Sequence, residues 1–299
     1  MKVGIIGAGR VGCSMGKYLT DKGKTVTGYY SKNEESAAKA AEFTGTDCFR
    51  TMEELVALSD TLFITTPDEQ IGVVWGHMKA MSVDERVICH FSGSLSSDVF
   101  IGIEEKNAFG ISIHPLLAFR DKVSAYKQLK HCFFTLEGNP YAVKQMEGLL
   151  TELGNPYCKI KAEDKAKYHC AASILSNDVL ALLDLGFGLL EQCGFTKEEA
   201  RTSAAALVRG NIENILENGT LASMTGPILR GDVSTVEKHL QVLCGDTKEI
   251  YRLLGKHLAE LAEKKQPEND YRKMRSLLQQ GTEADKKQGK NVEKGNVKG

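Results

Sequence analysis

The sequence predicts an α/β protein in which a doubly wound, mostly parallel sheet is followed by an all-α second domain. Three observations predict it. Short apolar or β-branched runs alternate with helix-length segments up to about residue 160, and a glycine-rich turn follows the first run. Beyond Ile160 the strand-like runs stop, and helical periodicity continues from about Glu163 to Gln280. Strands separated by helices are the pattern of βαβ units. The expected strands are "KVGIIG", "TVTGYY", "TLFITT", "RVICHF", "GISIH", "HCFFTL" and "PYCKI". Gly194 and Gly219 are expected to end helices, and Pro267 to open the last one. The expected domains are therefore 1–160 and 161–280. A tail at 281–299 has no aromatic residue and only two valines, too little to order itself by burial.

Composition narrows the class. The 299 residues hold 38 Lys plus Arg against 39 Asp plus Glu, a formal net charge of −1. Such a balance leaves no broad electrostatic footprint for nucleic acid or a membrane surface. The cysteines at 13, 48, 89, 132, 158, 170, 193 and 244 form no CxxC pair, which argues against zinc ribbons and thioredoxin chemistry. No metal site is expected, and reduced thiols point to a cytoplasmic protein. Met1 and Lys2 run straight into "VGIIG", without the pattern of a secretion signal, and no run of about 18 apolar residues suggests a membrane span.

The first strand leads into "GAGRVG", with glycines at 7, 9 and 12 directly before the helical run "RVGCSMGKYLTDKG". Gly7 makes the tight turn, Gly9 lets the backbone approach a pyrophosphate, and Gly12 lets the helix pack on the strand. The helix N-terminus then offers unpaired N–H groups to the phosphates. Gly7, Ala8, Gly9, Arg10, Val11 and Gly12 are thus expected to bind a dinucleotide. An NAD-selective loop usually places a carboxylate about 20 residues further on. Here that place holds Tyr30, Ser31 and Lys32, a hydroxyl and an ammonium that suit a 2′-phosphate, so NADP is the expected cofactor. The alternative is that Lys32 is a solvated loop lysine and Glu34 or Glu35 binds the ribose. Two further loops, "ITTPDEQI" and "CHFSGSLSSD", end strands and are expected to start helices. Thr66, Pro67 and Asp68 are expected beside the cofactor ribose, and Ser92 to Ser94 near the nicotinamide; simple N-capping by Asp68 and Ser94 is compatible with the same positions.

A second set of polar residues follows. His114, at the end of the strand "GISIH", faces the ligand crevice if that strand lies in the sheet as expected. In "DKAKYHCAASILSND", His169, Ser173 and Asn177 recur every four residues and share one helix face, with Lys165 one turn before. Ala166, Cys170, Ile174 and Leu175 oppose them, so the helix is expected to be mostly buried. The polar stripe either bonds a neighbouring helix or lines the crevice.

In the order "GAGRVG", "YSK", "TPD", "HFSG", "IHP", "KYHCAASILSN" and "MTGPILRGDVSTVEKHL", the chain resembles the Rossmann-like NADP oxidoreductases that carry a C-terminal helical domain of unknown function. The resemblance spans about residues 1–260. More distantly the layout is similar to pyrroline-5-carboxylate reductase, ketopantoate reductase and prephenate dehydrogenase, which implies a homodimer built through the helical domain. In the hydroxyacid-dehydrogenase relatives a catalytic lysine precedes an asparagine by four residues. Here Lys167 is followed four residues later by Ala171, so His169 is expected in the lysine's place.

The expected activity is hydride transfer between NADP(H) and a small, anionic carbonyl or imine. His169 is the expected proton donor, Asn177 and Ser173 the orienting groups, and His114 a further polar contact. Arg230, in "TGPILRGD", is the expected carboxylate clamp, since a guanidinium binds carboxylates in bidentate fashion. The alternative for that segment is a helix connector in which Arg230 and Asp232 pair with each other or with neighbouring helices. The alternative for the whole chain is an NADP-binding regulatory protein without turnover.

Overall fold

A computed structural model describes residues 1–279; the expected disordered tail at 281–299 lies outside them. The contacts divide the chain into two compact units, Met1–Val179 and the residues from Leu180 onward.

The first unit is built on β1 (Lys2–Ile6), α1 (Arg10–Asp21), β2 (Thr25–Tyr30), α2 (Glu34–Thr44), β3 (Asp47–Cys48), α3 (Met52–Leu58) and β4 (Thr61–Ile64). It continues through α4 (Asp68–Met78), β5 (Val87–His90), β6 (Phe109–Pro115), β7 (Phe134–Gly138), α5 (Pro140–Leu153), β8 (Tyr157–Lys159) and α6 (Lys165–Ser173). The strands form one sheet in the order β3-β2-β1-β4-β5-β6-β7-β8. Every pair is parallel except β6 with β7. The first six strands follow the 3-2-1-4-5-6 order of doubly wound dinucleotide-binding sheets, whose order reverses between β1 and β4.

β1 and β4 read as near-continuous apolar runs because helices cover both sheet faces. Two cores result. One holds Ile5, Leu19, Tyr29, Phe63 and Phe134 with the α5 residues Met146 and Leu150. The other holds Leu55, Leu62, Ile64, Trp75 and Phe100. Helix ends follow local chemistry: Asn33 caps α2, Asn139 caps α5 with Pro140 at the first turn, and Thr51 with Glu54 closes a capping box on α3.

Two expectations in this unit are corrected. No α-helix follows β5; two short 3-10 turns form instead, at Ser97–Val99, capped by Ser96, and at Glu104–Lys106. Ser92 and Ser94 direct their side chains to Asp68 and to local backbone, which holds the segment as a loop. Nor is α6 mostly buried. Ala166 and Cys170 are exposed, as are Ile174 (53%) and Leu175 (74%) just beyond it, and the residue that is buried is Lys165, which meets Ser112 on the sheet.

The second unit follows α7 (Val179–Gln192) with α8 (Lys197–Ser203), α9 (Ala205–Ser223), α10 (Val233–Val242), α11 (Gly245–Lys265) and α12 (Arg272–Gln279). Gly194 lies at φ +97° just past α7, and Gly219, at φ +80°, interrupts α9. Pro267 does not open the last helix. It lies in the link from α11, and α12 begins at Arg272, after Asp270 has bonded the Arg272 backbone. The core here gathers Ile228, Leu229, Val236, Leu240, Ala259 and Met274.

One continuous helical stretch, Ala162–Gln192, is long and apolar enough by length and composition to cross a membrane. Lys165, His169, Asn177, Asp178 and Asp184 interrupt it, which is why no uninterrupted apolar run shows in the sequence.

Candidate active site

The reversal of strand order sets the carboxyl ends of β1 and β4 side by side, followed by the Gly7–Gly9 turn and by Thr65–Pro67. Gly7 takes φ +105°, a conformation that side chains other than glycine's rarely allow. A Cβ on Gly12 would lie 2.3 Å from the Gly7 carbonyl oxygen and 2.5 Å from Thr65 Oγ1, so α1 can approach the turn only without one. Helix α1 starts with Gly9 as its N-cap. It has no side-chain cap and no acidic residue in its first turn. Its N–H groups and the positive end of its dipole are left for an anion, the arrangement that binds dinucleotide phosphates.

A cavity of about 360 Å³ opens from this turn. Gly7, Ala8, Gly9, Ser31, Lys32, Thr66 and Pro67 line it, as do Gln70, His77 and Lys122, which were not singled out from the sequence. Gly12 is buried behind the turn and Arg10 is exposed; neither these two nor Val11, Asp68 and Ser92 line that cavity.

Asp68 and Ser92 belong to a network beyond it. The Ser92 and Ser94 hydroxyls donate to Asp68 Oδ2 at 2.6 and 2.9 Å, and Ser92 Oγ accepts from the backbone N–H of Ser94 and Leu95. Asp68 therefore ties the start of α4 to the loop after β5, and its carboxylate serves that loop rather than its own helix end. His90, fully buried on β5, accepts at Nδ1 from the Ser92 N–H and donates from Nε2 to the Ser96 carbonyl. Burial, with the Lys165 charge second, pushes its pKa down to about 4.

Lys165 lies 2% exposed at the start of α6. Its Nζ donates to the Ser92 carbonyl at 2.9 Å and to Ser112 Oγ at 2.8 Å. Burial lowers its pKa to about 8, with Glu137 and Asp68 opposing the shift. An ammonium inside the fold is costly unless its protons are satisfied, and here the Ser92 carbonyl of the loop after β5 and the Ser112 hydroxyl on β6 supply the acceptors.

Next to this network His114, His169, Ser173 and Asn177 line one cavity of about 280 Å³. His114, at the end of β6, is half-buried, and the Tyr168 hydroxyl meets its Nδ1 at 2.6 Å. Burial, then Lys165 and then His169, pushes the His114 pKa down to about 4. Gly93 makes the convergence of the two histidines possible: a Cβ there would stand 2.8 Å from His169 Cδ2 and 2.9 Å from His114 Nε2. The helix turns π-helical at Ile174–Asp178, and Ser176 joins Asn177 on the cavity wall. Asn177 Nδ2 donates to Ser173 Oγ at 3.5 Å. Such π turns are often found at functional sites.

Arg230 lies in the second unit and is exposed. Its neighbours Ile228 and Leu229 are buried in that unit's core, and the Tyr271 hydroxyl donates to the Leu229 carbonyl at 2.5 Å. Asp232 caps α10, accepting from the Thr235 N–H and hydroxyl.

In this cluster the sequence did not single out His90 and Tyr168, and it placed Lys165 on the polar stripe without a role. Lys165, Tyr168 and His169 stand at i, i+3 and i+4, so helical spacing alone groups them. His90 carried no such signal, being one more residue of an apolar strand. Among the described residues no group of three or more His, Cys, Asp or Glu is placed to hold a metal.

Comparisons with known proteins agree with this architecture. Residues 1–115 match the model of a Rossmann-like domain, and residues 132–258 match a domain of unknown function, DUF2520. Among solved structures, a Thermotoga maritima protein is 28% identical, covering 88% of this chain and 99% of its own, with a TM-score of 0.71. A Bacteroides fragilis protein described as a candidate NADP oxidoreductase is 21% identical, covering 87% and 98%, with a TM-score of 0.68. Pyrroline-5-carboxylate reductase from Coxiella burnetii is 14% identical, covering 92% and 95%, with a TM-score of 0.57. At such identities the last two are likenesses of fold. No curated protein matches the chain. The chain thus joins a Rossmann-like domain to a DUF2520 domain.

Proposed function

We propose that the chain is an NADP-dependent oxidoreductase that acts on a small, anionic carbonyl or imine. The observation that carries this is the uncapped N-terminus of α1, opening on a cavity that Ser31 and Lys32 also line, in a fold with a second cavity lined by His114 and His169. The solved structures with the same fold, an NADP oxidoreductase candidate and a pyrroline-5-carboxylate reductase among them, support it.

The α1 turn would hold the pyrophosphate, and Ser31 and Lys32 the 2′-phosphate, with Lys122 as a further cation on the same cavity. When bound there, reduced NADP would supply a hydride, two electrons with one hydrogen nucleus, to an electrophilic carbon of the substrate. His169 provides the proton that completes the alcohol or amine, and Asn177 and Ser173 orient the substrate. His114 makes the further polar contact. Lys165 is a positioning residue: it fixes the Ser92 carbonyl and so the loop between the two cavities. Arg230, whose guanidinium is exposed, is the proposed carboxylate clamp. Residues 1–160 serve the cofactor, and 161–280 the substrate and a second copy of the chain. The exposed side chains Leu175, Leu180, Leu207 and Leu216 on α7, α9 and the turn before α7 support homodimerisation, since apolar surface of that extent usually meets a partner. All eight cysteines are free, which supports a reducing, cytoplasmic setting.

NADPH titration followed by cofactor fluorescence tests the proposal, with NADH expected to bind at least about tenfold more weakly, a difference of roughly 1.4 kcal/mol. NADPH oxidation across keto acids and cyclic imines follows. Tight binding of NADPH without oxidation of it by any substrate, together with no effect of His169→Ala on binding, would replace the reductase with a nucleotide-responsive regulatory protein. Sedimentation equilibrium reads the dimer, and a monomer at every concentration overturns it.

A further inference from the structure

The connection from β6 to β7 borders both cavities. Leu116, Leu117 and Ala118 wall the cavity of His114 and His169, and Lys122, four residues further on, lines the cavity of the α1 turn with Ser31 and Lys32. Four residues of extended chain span at most about 14 Å, so a short stretch of backbone joins the two walls. Exposure along it alternates. Leu117 and Phe119 are half-buried against the core that includes Cys13 and Leu19 of α1, while Leu116, Ala118 and Arg120 are exposed, the period of an extended chain lying on the fold.

The ends of this segment are fixed and its middle is not. The Leu116 N–H donates to the Phe133 carbonyl at 2.9 Å, and Asp121 Oδ1 accepts from the N–H groups of Val123 and Ser124. Ala125 and Leu129, just beyond, are buried. Over residues 118–122 the backbone makes no hydrogen bond among the described residues, so the seating of Phe119 is what holds that stretch. Lys122 is exposed and makes no ion pair among the described residues: Asp121 is engaged by its own turn, and Glu35, which lines a neighbouring cavity with Lys122, pairs with Lys39. Its ammonium reaches far enough toward α1 to oppose the rise that burial causes in the Cys13 pKa. Lys32 lines the same cavity, so two cations face one space and repel each other until an anion lies between them.

We propose that residues 116–124 form a strap by which Lys122, on engaging a 2′-phosphate, shapes the substrate cavity. Lys122 and Lys32 close on the phosphate together, the unbonded stretch follows Lys122, and Leu116, Leu117 and Ala118 move with it against His114 and His169. Selectivity for NADPH over NADH is then expressed twice, once in affinity for the cofactor and once in affinity for the substrate. The strap depends on the NADP function proposed above, and what it adds is the coupling between the cavities. Such coupling is reciprocal, so a ligand of the second cavity tightens NADPH by the same factor and leaves NADH nearly unchanged.

Adenosine 2′,5′-bisphosphate and 5′-AMP test the strap: they carry the adenosine end of the cofactor with and without the 2′-phosphate, and neither has a nicotinamide to enter the second cavity. Each is titrated into the full-length protein labelled with ¹⁵N-histidine, with nitrogen NMR signals assigned by His77→Gln, His114→Gln and His169→Gln. His77 lines the cofactor cavity and reports its occupancy. At saturation the bisphosphate is expected to shift the His114 and His169 signals, and 5′-AMP to leave both in place. In Lys122→Gln the bisphosphate is expected to bind about tenfold more weakly and, at saturation, to move neither signal. Two glycines inserted after Ala118 give the strap slack; the bisphosphate then binds within about threefold of its wild-type affinity, and His114 and His169 no longer respond.

Equal shifts of His114 and His169 with 5′-AMP, or shifts that persist at saturation in Lys122→Gln or in the glycine insertion, overturn the strap. Should the bisphosphate bind no more tightly than 5′-AMP, the NADP function fails, and the strap with it. Should it bind more tightly while His114 and His169 stay in place, the strap alone fails and the NADP function stands. In turnover the same coupling is read as a substrate KM at least about fivefold lower with saturating NADPH than with saturating NADH, a difference lost in Lys122→Gln; equal KM values in the wild type overturn it.

Discussion

Two glycine-bearing segments of this chain stand directly before helices and use glycine for opposite ends. In "GAGRVG" the helix begins without a side-chain cap, and its N–H groups open on a cavity. In "TGPILRGD" the following helix is capped by Asp232, and the segment is pinned by buried Ile228 and Leu229 and by the Tyr271 hydroxyl. The first leaves the N–H groups of its helix end to a ligand; in the second Asp232 takes the helix-end donors for itself. Glycine content does not separate the two. What separates them is whether the chain supplies its own partner to the helix end.

The comparison breaks most sharply at Gly12. Gly12→Val would place its Cβ against the Gly7 carbonyl oxygen, 2.3 Å away, and force α1 off the turn. NADPH affinity should fall by about a hundredfold or more, roughly 2.7 kcal/mol, as read by fluorescence titration. Gly226→Ala meets no atom within 4 Å, and although φ is +94° there, NADPH affinity should not change.

Acid separates the units next. His90 and His114 have folded pKa values near 4 against an ordinary 6.5, so between these values the unfolded chain binds more protons than the folded one. Stability therefore falls as the pH drops from 6.5 toward 4, by on the order of a few kcal/mol, and is fully regained above 6.5. Asp232 behaves otherwise. Hydrogen bonds from Thr235 hold its carboxyl below 3.8, so its contribution is lost only under stronger acid. Thermal melts at stepped pH check both, and a flat Tm from pH 7 to about 4.5 would contradict the neutral, buried histidines.

A smaller effect is expected at the cations of the cofactor cavity. Lys32→Ala and Lys122→Ala should each weaken NADPH about tenfold and leave NADH nearly unchanged, as measured by calorimetry. Equal losses for both cofactors would move those lysines from the 2′-phosphate to the pyrophosphate. The smallest effect belongs to the second segment: Asp232→Ala should lower Tm by a few degrees through loss of the α10 cap, with no change in NADPH affinity.

Much of the fold was legible because its causes are local. The apolar runs of β1, β2, β4 and β5 sit between helices, and the glycines at 7, 9 and 12 announce the turn. The two-residue β3 was not, since Asp47 and Cys48 carry no strand pattern and pair only because β2 lies alongside. In the site, the four-residue spacing of His169, Ser173 and Asn177 was visible, and with His114 they line one cavity. Hidden were the partners that tertiary structure alone supplies. Tyr168 reaches His114 across 54 positions of sequence, and Lys165 reaches Ser92 across 73. The π turn at Ile174–Asp178 was equally hidden, because its single extra residue per turn leaves no compositional mark. The apolar side of α6 misled for a related reason: periodicity tells which residues share a face, but not what covers that face.

Lys165 and Lys32 also differ in how the solvent treats their charge. Lys32 lies at the mouth of a cavity, where mobile ions at physiological strength screen it within about 8 Å. Lys165 is 2% exposed, and counterions cannot gather around it. Raising the ionic strength should therefore erode discrimination between NADPH and NADH while leaving the attraction of the second cavity for an anion nearly intact. A salt titration would then tune one selectivity of the molecule without touching the other.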